Sequence, residues 1–234
     1  MEQKELTSLS LKRCLMVMIV YFLGFTYLLP DVLKKITLMI DPQATIMNIP
    51  VMLISYFLVA ALLIYIAKPV WKDSLSHFFQ NTKNCLYMIV VMIIGILIAN
   101  YALSMIVALL TNTDNSQNQE IVSQNAVISP LYSFLYTCII APVMEETVFR
   151  AGIFTWIKKH AGFIPAMLIS SLAFGMIHVM RSLFTGNFID FAYLLVYAGI
   201  GMILAYAYEK SGSVLVSVGI HAGNNFVAFL SMIL

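Results

Sequence analysis

The sequence contains few charged residues. Charged residues make up 10% of the chain, whereas 61% of its residues are hydrophobic. A soluble domain of this length could not bury so much apolar surface, but a helical membrane protein can expose it to lipid. The net charge of +2 and the lack of a dense basic cluster argue against nucleic acid as a partner. The composition therefore predicts an all-α, polytopic protein embedded in the lipid bilayer.

Cysteine is also scarce, and its spacing excludes two further classes. The three cysteines are Cys14, Cys85 and Cys138, and none belongs to a CxxC pair. We interpret them as small core residues rather than a disulfide framework or a zinc knuckle. No A-x-A-like cleavage site follows the first apolar segment, so an uncleaved first helix is expected there.

Apolar segments predict about seven transmembrane helices, because each approaches the roughly 20 residues needed to cross about 30 Å of hydrocarbon. Pro142 in the fourth segment removes a backbone donor, which frees the carbonyl of Cys138 and predicts a kink or local opening. The polar stretch "TNTDNSQNQEIVSQN" between the third and fourth segments predicts an extramembrane loop. The predicted spans are approximately 14–30, 48–67, 85–111, 127–158, 163–184, 189–208 and 213–233.

The first three spans carry no charge, and every unusual residue follows position 140. We therefore divide the chain into an N-terminal membrane scaffold, residues 1–126, and a C-terminal functional core of four spans, residues 127–234. Basic residues predict the orientation, since cytoplasmic loops are enriched in Lys and Arg. Nine of the 13 lie on one side, which we expect to be cytoplasmic together with the N-terminus: Lys4, Lys12, Arg13, Lys68, Lys72, Lys83, Lys158, Lys159 and Lys210. The outer side, with the C-terminus, has Lys34, Lys35 and Arg181.

The stretch "PVMEETVFRAG" places three charges inside an apolar helix. Glu146 and Arg150 are four residues apart, so they share a helix face and predict a buried ion pair. Glu145 points about 100° away and has no cation nearby in sequence. An intramembrane carboxylate of this kind suits a general base or acid. The alternative is that all three residues form a structural cluster.

Two later spans carry histidines at membrane depth. His178 lies in the fifth span, and His221 lies in the seventh span four residues before Asn225. Each histidine alone fits an interhelical hydrogen bond, but three helices that bring Glu, His and His with Asn toward the middle favour a site. Small residues such as Gly175, Gly219 and Gly223 surround the histidines and predict close helix packing.

The helical rise predicts the depth of each of these side chains in the membrane, and the predicted depths agree only loosely with one another. At 1.5 Å per residue, Glu145 and His178 lie about 20 Å deep, and His221 lies nearer 12 Å. Acidic residues at span ends or in loops are expected to be solvated, namely Asp31, Asp41, Asp73, Asp114, Asp190 and Glu209.

Three motifs together resemble the CAAX protease and bacteriocin-processing family, also called Abi. They are E-E-x-x-x-R in "EETVFR", F-x-x-x-H from Phe174 to His178, and H-x-x-x-N from His221 to Asn225. The resemblance covers residues 127 to 233 and implies an intramembrane endopeptidase. It implies that Glu145 activates the attacking water with help from His178, and that His221 and Asn225 stabilise the oxyanion. Glu146 and Arg150 would hold the geometry of the site, and Phe174 would be a supporting residue.

The resemblance leaves the cofactor and the substrate open. No HExxH motif is present, and we favour a metal-free site, with zinc held by Glu145, His178 and His221 as the alternative. The implied partner is a membrane-associated peptide or protein, such as a CAAX-type, leader, bacteriocin or signalling peptide. The family link favours the plasma membrane of a bacterium. A non-catalytic immunity protein and a proton-coupled transporter are the competing interpretations, although the absence of an inverted repeat argues against transport.

Overall fold

The computed structural model describes residues 6–234, and these residues form helices without a strand. The all-α prediction is therefore confirmed. Lys4, which the orientation argument uses, lies outside the described residues. The helical runs are α1 Leu11–Ile40, α2 Ile49–Ile66, α3 Lys68–Gln80, α4 Thr82–Thr111, α5 Gln117–Ile128, α6 130–161, α7 Phe163–Thr185, α8 Leu194–Ser211 after a 3-10 turn at Phe188–Tyr193, and α9 Val214–Ile233.

Six helices are long and apolar enough to cross a membrane: α1, α2, α4, α7, α8 with its preceding turn, and α9. They coincide with six of the seven predicted spans. The remaining predicted span, residues 127–158, corresponds to α6, which is helical but does not belong to the six. Its apolar character is diluted by Glu145, Glu146 and Arg150, so its membrane crossing stays a prediction.

Helix α6 is irregular on both sides of the two glutamates. A π-helical segment, Leu135–Ile140, precedes the short α-helical segment Ala141–Glu146, and a second π-helical segment, Thr147–Phe154, follows it. Such wider turns are uncommon and occur frequently at functional sites. Glu145 and Glu146 are therefore the last two residues of a six-residue α-helical segment that lies between two π-helical segments.

The irregularity predicted at Pro142 is present, and a side chain bonds a backbone carbonyl there. The N–H of Ala141 bonds the carbonyl of Tyr136, five residues back. The same five-residue step would pair the carbonyl of Thr137 with Pro142, which has no N–H. The side-chain amide of Asn225 donates to that carbonyl instead, at 2.9 Å. The freeing of the Cys138 carbonyl, which follows from α-helical, four-residue spacing, stays a prediction.

Close helix packing around the histidines is confirmed at two glycines. A Cβ on Gly175 would lie 3.0 Å from the backbone nitrogen of Ala198, so α7 and α8 touch there at backbone distance. A Cβ on Gly223 would lie 2.3 Å from Cδ1 of Ile93, which packs α9 against α4. Helices α7 and α9 also pack directly against α6, so their side chains can meet those of α6.

Candidate active site

Helix α6 supplies a buried ion pair. Glu146 and Arg150 are both fully inaccessible, and Oε2 of Glu146 lies 3.2 Å from Nε of Arg150. Arg150 also donates to the carbonyl of Gly201 at 3.0 Å, and its guanidinium lies 4.8 Å from the ring centre of Phe174. The ion pair predicted from the four-residue spacing is present. The arginine also ties α6 to α7 and α8.

His221 on α9 connects the two glutamates. Its Nδ1 lies 3.1 Å from Oε1 of Glu146, and its Nε2 lies 3.7 Å from Oε2 of Glu145. The ring is buried, with 3% of its surface exposed. A carboxylate without a proton can only accept, so Nδ1 of His221 donates to an ionised Glu146. The other nitrogen is thereby directed at Glu145.

His178 on α7 approaches Glu145 from another side. Its Nδ1 lies 2.9 Å from the carbonyl of Phe174, and its Nε2 lies 4.0 Å from Oε2 of Glu145. A backbone carbonyl only accepts, so Nδ1 carries a proton and Nε2 of a neutral ring presents a lone pair. Phe174 also packs its ring against both histidines, with centroids 4.7 Å from His178 and 5.5 Å from His221.

Glu145 lies at the centre of this arrangement. It is 8% exposed, and its Oε2 has no hydrogen-bond partner among the described residues. The two separations of 3.7 and 4.0 Å exceed direct hydrogen-bond length. Distances of this size are bridged by water in many polar sites. The arrangement can therefore receive one small polar group between a carboxylate and two imidazole nitrogens.

Asn225 reaches the same region from α9, but it makes a second contact that the sequence motif does not show. One amide hydrogen is donated to Thr137, and its Oδ1 accepts from the amide of Asn224 at 3.2 Å. Asn224 is 7% exposed, and its own Oδ1 has no partner among residues 6–234. Both asparagines therefore contribute polar groups at the wall of the site.

A metal ion would need shorter separations than these side chains have. Donors bound to zinc at about 2.0–2.1 Å in a tetrahedron lie about 3.3 Å apart. The Glu145 oxygen is 3.7 Å and 4.0 Å from the two histidine nitrogens. Among the described residues, no group of three His, Cys, Asp or Glu side chains is arranged to hold an ion. Glu145, His178 and His221 as placed do not fit the zinc alternative, and no step is derived through a metal.

A cavity of about 550 Å³ opens at these residues. Glu145, His178, His221 and Asn225 contribute to its wall. The wall also includes Asp114, Asn115 and Ser116 before α5, and Asn118 and Gln119 in the first turn of α5. This volume falls within the range of ligand pockets in proteins. Residues of the predicted extramembrane loop therefore line the same cavity as the site.

Three residues of the site region were missed by the sequence analysis. Tyr197 on α8 stacks its ring on His178, with centroids 4.5 Å apart and an angle of 20°. Asn224 lines the cavity next to Asn225. Asp190 was expected to be solvated, but it is 3% exposed and accepts hydrogen bonds from Ser182 and from the N–H of Gln117. That expectation was wrong because it used only the position of Asp190 at a span end, which does not reveal a partner on α5.

Comparisons with known proteins agree with the three motifs. Residues 127–227 match the family model described as type II CAAX prenyl endopeptidase Rce1-like. A Bacillus subtilis (strain 168) protein named "Putative membrane peptidase YdiL" is 28% identical over 118 residues, which cover 50% of this chain and 44% of that protein. The chain thus matches less than half the length of this relative. No solved structure matches.

The resemblance to the CAAX protease and bacteriocin-processing family is therefore confirmed, and the family model covers the region that carries all three motifs. At family level the two comparisons indicate a membrane protease. Together with the six apolar helices they support a bacterial membrane protein.

Proposed function

We propose that this protein is an intramembrane endopeptidase that hydrolyses a membrane-associated peptide or protein with water activated by Glu145. One observation carries the proposal. The buried Oε2 of Glu145 has no hydrogen-bond partner within residues 6–234 and faces the Nε2 atoms of two histidines at the wall of a cavity. A carboxylate held ready in this way can take a proton from water.

Water activation is assigned to Glu145 and His178. A water between them would donate one hydrogen to the carboxylate and the other to Nε2 of His178. Removal of a proton by Glu145 leaves a hydroxide-like oxygen to attack the carbonyl carbon of the scissile peptide bond. The proton held by Glu145 then passes to the leaving amine, so that the carboxylate is regenerated. General-base assistance of this kind contributes about 10²–10⁴-fold in rate.

Stabilisation of the developing oxyanion is assigned to His221 and Asn225. His221 can donate from Nε2 when the ring carries a second proton, and its Nδ1 contact with Glu146 fixes the ring for this task. Asn225 has a second amide hydrogen besides the one given to Thr137. Removing one such donor typically costs about 10²–10³-fold in rate.

Glu146 and Arg150 are assigned the positioning of the site. Glu146 contacts His221 with one oxygen and Arg150 with the other, so the pair holds the His221 ring while neutralising its own charge. We further propose residues 127–234 as the catalytic core and residues 1–126 as the membrane scaffold. The N-terminus is placed in the cytoplasm and the C-terminus outside the plasma membrane.

Substrates are proposed by class. The description of the family model names CAAX prenyl endopeptidases, so a CAAX-type segment is one candidate. Leader, bacteriocin and signalling peptides are the others. All are membrane-associated chains that could reach the cavity beside the loop of residues 114–119.

The test is cleavage of a membrane-peptide library by the protein purified in detergent, followed by mass spectrometry. Glu145→Gln removes the base, whereas Glu120→Gln changes an exposed carboxyl on α5 and serves as the control. The proposal expects cleavage by the wild type and by Glu120→Gln, and its loss in Glu145→Gln. Equal cleavage by the wild type and Glu145→Gln would refute the role of Glu145. If no protein cleaves, proton-dependent uptake into vesicles would identify a carrier instead.

A further inference from the structure

Tyr197 contacts both His178 and the loop that lines the cavity. Its ring stacks on the His178 ring at 4.5 Å. Its hydroxyl shares a hydrogen bond of 2.6 Å with Ser116 and accepts another from the amide of Asn118 at 3.3 Å. Ser116 lies just before α5, and Asn118 lies in its first turn. We call residues 112–119 together the cavity loop. One side chain therefore links the loop to a histidine that faces Glu145.

Other bonds fasten the cavity loop without touching His178. The N–H of Gln117 donates to Asp190 at 2.9 Å, and the hydroxyl of Tyr193 donates to the carbonyl of Thr113 at 2.9 Å. Ser116 also caps the start of α5 by accepting from the N–H of Gln119 at 3.1 Å. Several hydrogen bonds thus hold the loop in place. Tyr197 bonds the loop and also contacts His178 in the site.

The orientation of His178 depends on more than its own hydrogen bond. The contact of Nδ1 with the carbonyl of Phe174 fixes one atom of the ring but leaves the ring plane free to tilt. Phe174 and Tyr197 lie against the ring with interplanar angles of 48° and 20°. Stacked aromatic contacts of this geometry are favourable beyond the area they bury. The near-parallel Tyr197 ring therefore sets the plane in which Nε2 points at Glu145.

We propose that Tyr197 is a positioning residue that orients His178 through its ring and couples that orientation to the cavity loop through its hydroxyl. This inference rests on the proposed function, since it assigns His178 a part in activating water. A substrate that displaces Ser116 and Asn118 would change the position of Tyr197. The direction in which Nε2 of His178 points would then change as well. In the wild type, a shift of Ser116 and Asn118 is thereby transmitted to the His178 ring.

The two functions of the side chain can be separated by substitution. Tyr197→Phe keeps the ring and loses the hydroxyl, whereas Tyr197→Leu loses both. Tyr193→Phe is the matched control, because it releases another tether of the loop without a stacking partner in His178. Tyr197→Leu is expected to lower kcat about tenfold or more, since small misplacements of reacting groups cost up to about 10²-fold. Tyr197→Phe and Tyr193→Phe are expected to change KM and leave kcat within about twofold.

A second measurement decides the inference without any cleavage. The chain has four histidines, so a protein labelled only at histidine gives few ring signals in an NMR spectrum. The signal of His178, assigned by its loss in His178→Gln, should be displaced by the ring current of Tyr197. It should shift in Tyr197→Leu and stay nearly unchanged in Tyr193→Phe.

The outcomes separate this inference from the proposed function. An unmoved His178 signal in Tyr197→Leu, or an equal shift in Tyr193→Phe, would overturn the positioning role whatever the activity. A shifted signal together with a kcat equal to that of the wild type would also overturn it, because the orientation would then be irrelevant to the reaction. Absence of cleavage by the wild type would count against the proposed function, while the NMR result would still decide the contact.

Discussion

Exchange of Glu146 for glutamine tests whether the buried ion pair both stabilises the fold and serves the site. Glu146 and Arg150 are fully inaccessible and lie 3.2 Å apart. Glu146→Gln leaves the guanidinium buried without its carboxylate. Breaking a buried pair by removing one partner costs about 3–5 kcal/mol. The control is Glu209→Gln, which removes the partner of Lys158 from a pair whose side chains are 10% and 24% exposed, respectively. A pair near the surface contributes about 0–1 kcal/mol.

The double variant Glu146→Gln with Arg150→Gln separates stability from activity. Removing both charges avoids the uncompensated guanidinium, so the double variant should be more stable than Glu146→Gln alone. Cleavage should not recover, because His221 still lacks the carboxylate that its Nδ1 contacts at 3.1 Å. A charge-assisted hydrogen bond exceeds a neutral one by about 1–1.5 kcal/mol, which corresponds to roughly tenfold in rate.

The stability of each variant is measured through the three buried cysteines, whose thiols become accessible when the protein unfolds. They react with a thiol-sensitive fluorophore as the protein unfolds in a denaturing detergent titration, and peptide cleavage is measured on the same preparations. The reasoning would fail if Glu146→Gln lost no more stability than Glu209→Gln. It would also fail if the double variant cleaved as fast as the wild type.

Three further outcomes are expected. Gly175→Ala should destabilise the protein by about 1–3 kcal/mol, because its Cβ would lie 3.0 Å from the backbone nitrogen of Ala198. Gly95→Ala, where no atom lies within 4 Å, should be neutral or slightly stabilising in the same unfolding titration. Asn225→Ala should cost about 1–3 kcal/mol by leaving the Thr137 carbonyl without its donor, and it should also slow cleavage; an unchanged unfolding midpoint would contradict the first part. Cleavage should persist in the presence of a chelator, and loss that added zinc restores would favour the metal alternative.

Periodicity and spacing were sufficient to predict the helical architecture and one contact of the site. Six of the seven predicted spans coincide with helices able to cross a membrane, since long apolar runs are a strong signal. The pairing of Glu146 with Arg150 follows from helix geometry alone. The convergence of three helices on Glu145 was predicted from the types of residue they carry, and their side chains do meet there.

Depth along the helices could not be predicted as well. Counting from assumed helix ends placed His221 about 8 Å nearer the inner surface than Glu145, yet its Nε2 lies 3.7 Å from the Glu145 oxygen. The count assumed straight helices of uniform rise, whereas α6 contains two π-helical segments. Apart from Pro142, nothing in the sequence marks where these segments begin. The contacts of Tyr197 and Asp190 were missed because they join helices that are distant in the chain.

The geometry of α6 explains why three charges occur within an apolar helix. Arg150 and Glu146 offset each other, which lowers the cost of burying either in the membrane. Before His221 takes up the second proton that the oxyanion step needs, both histidines are neutral. With both carboxylates ionised, these groups and Arg150 then carry one negative charge in excess, and that charge belongs to Glu145. Oε1 of Glu146 accepts from His221, and its Oε2 lies 3.2 Å from Nε of Arg150 in an ion pair. Oε2 of Glu145 instead faces two nitrogen atoms that lie beyond hydrogen-bond length. An uncompensated carboxylate beside a cavity binds a proton readily, and hydrolysis by activated water requires that property. The geometry is therefore consistent with the separate tasks that we propose for the adjacent glutamates, because the helix turns about 100° between them.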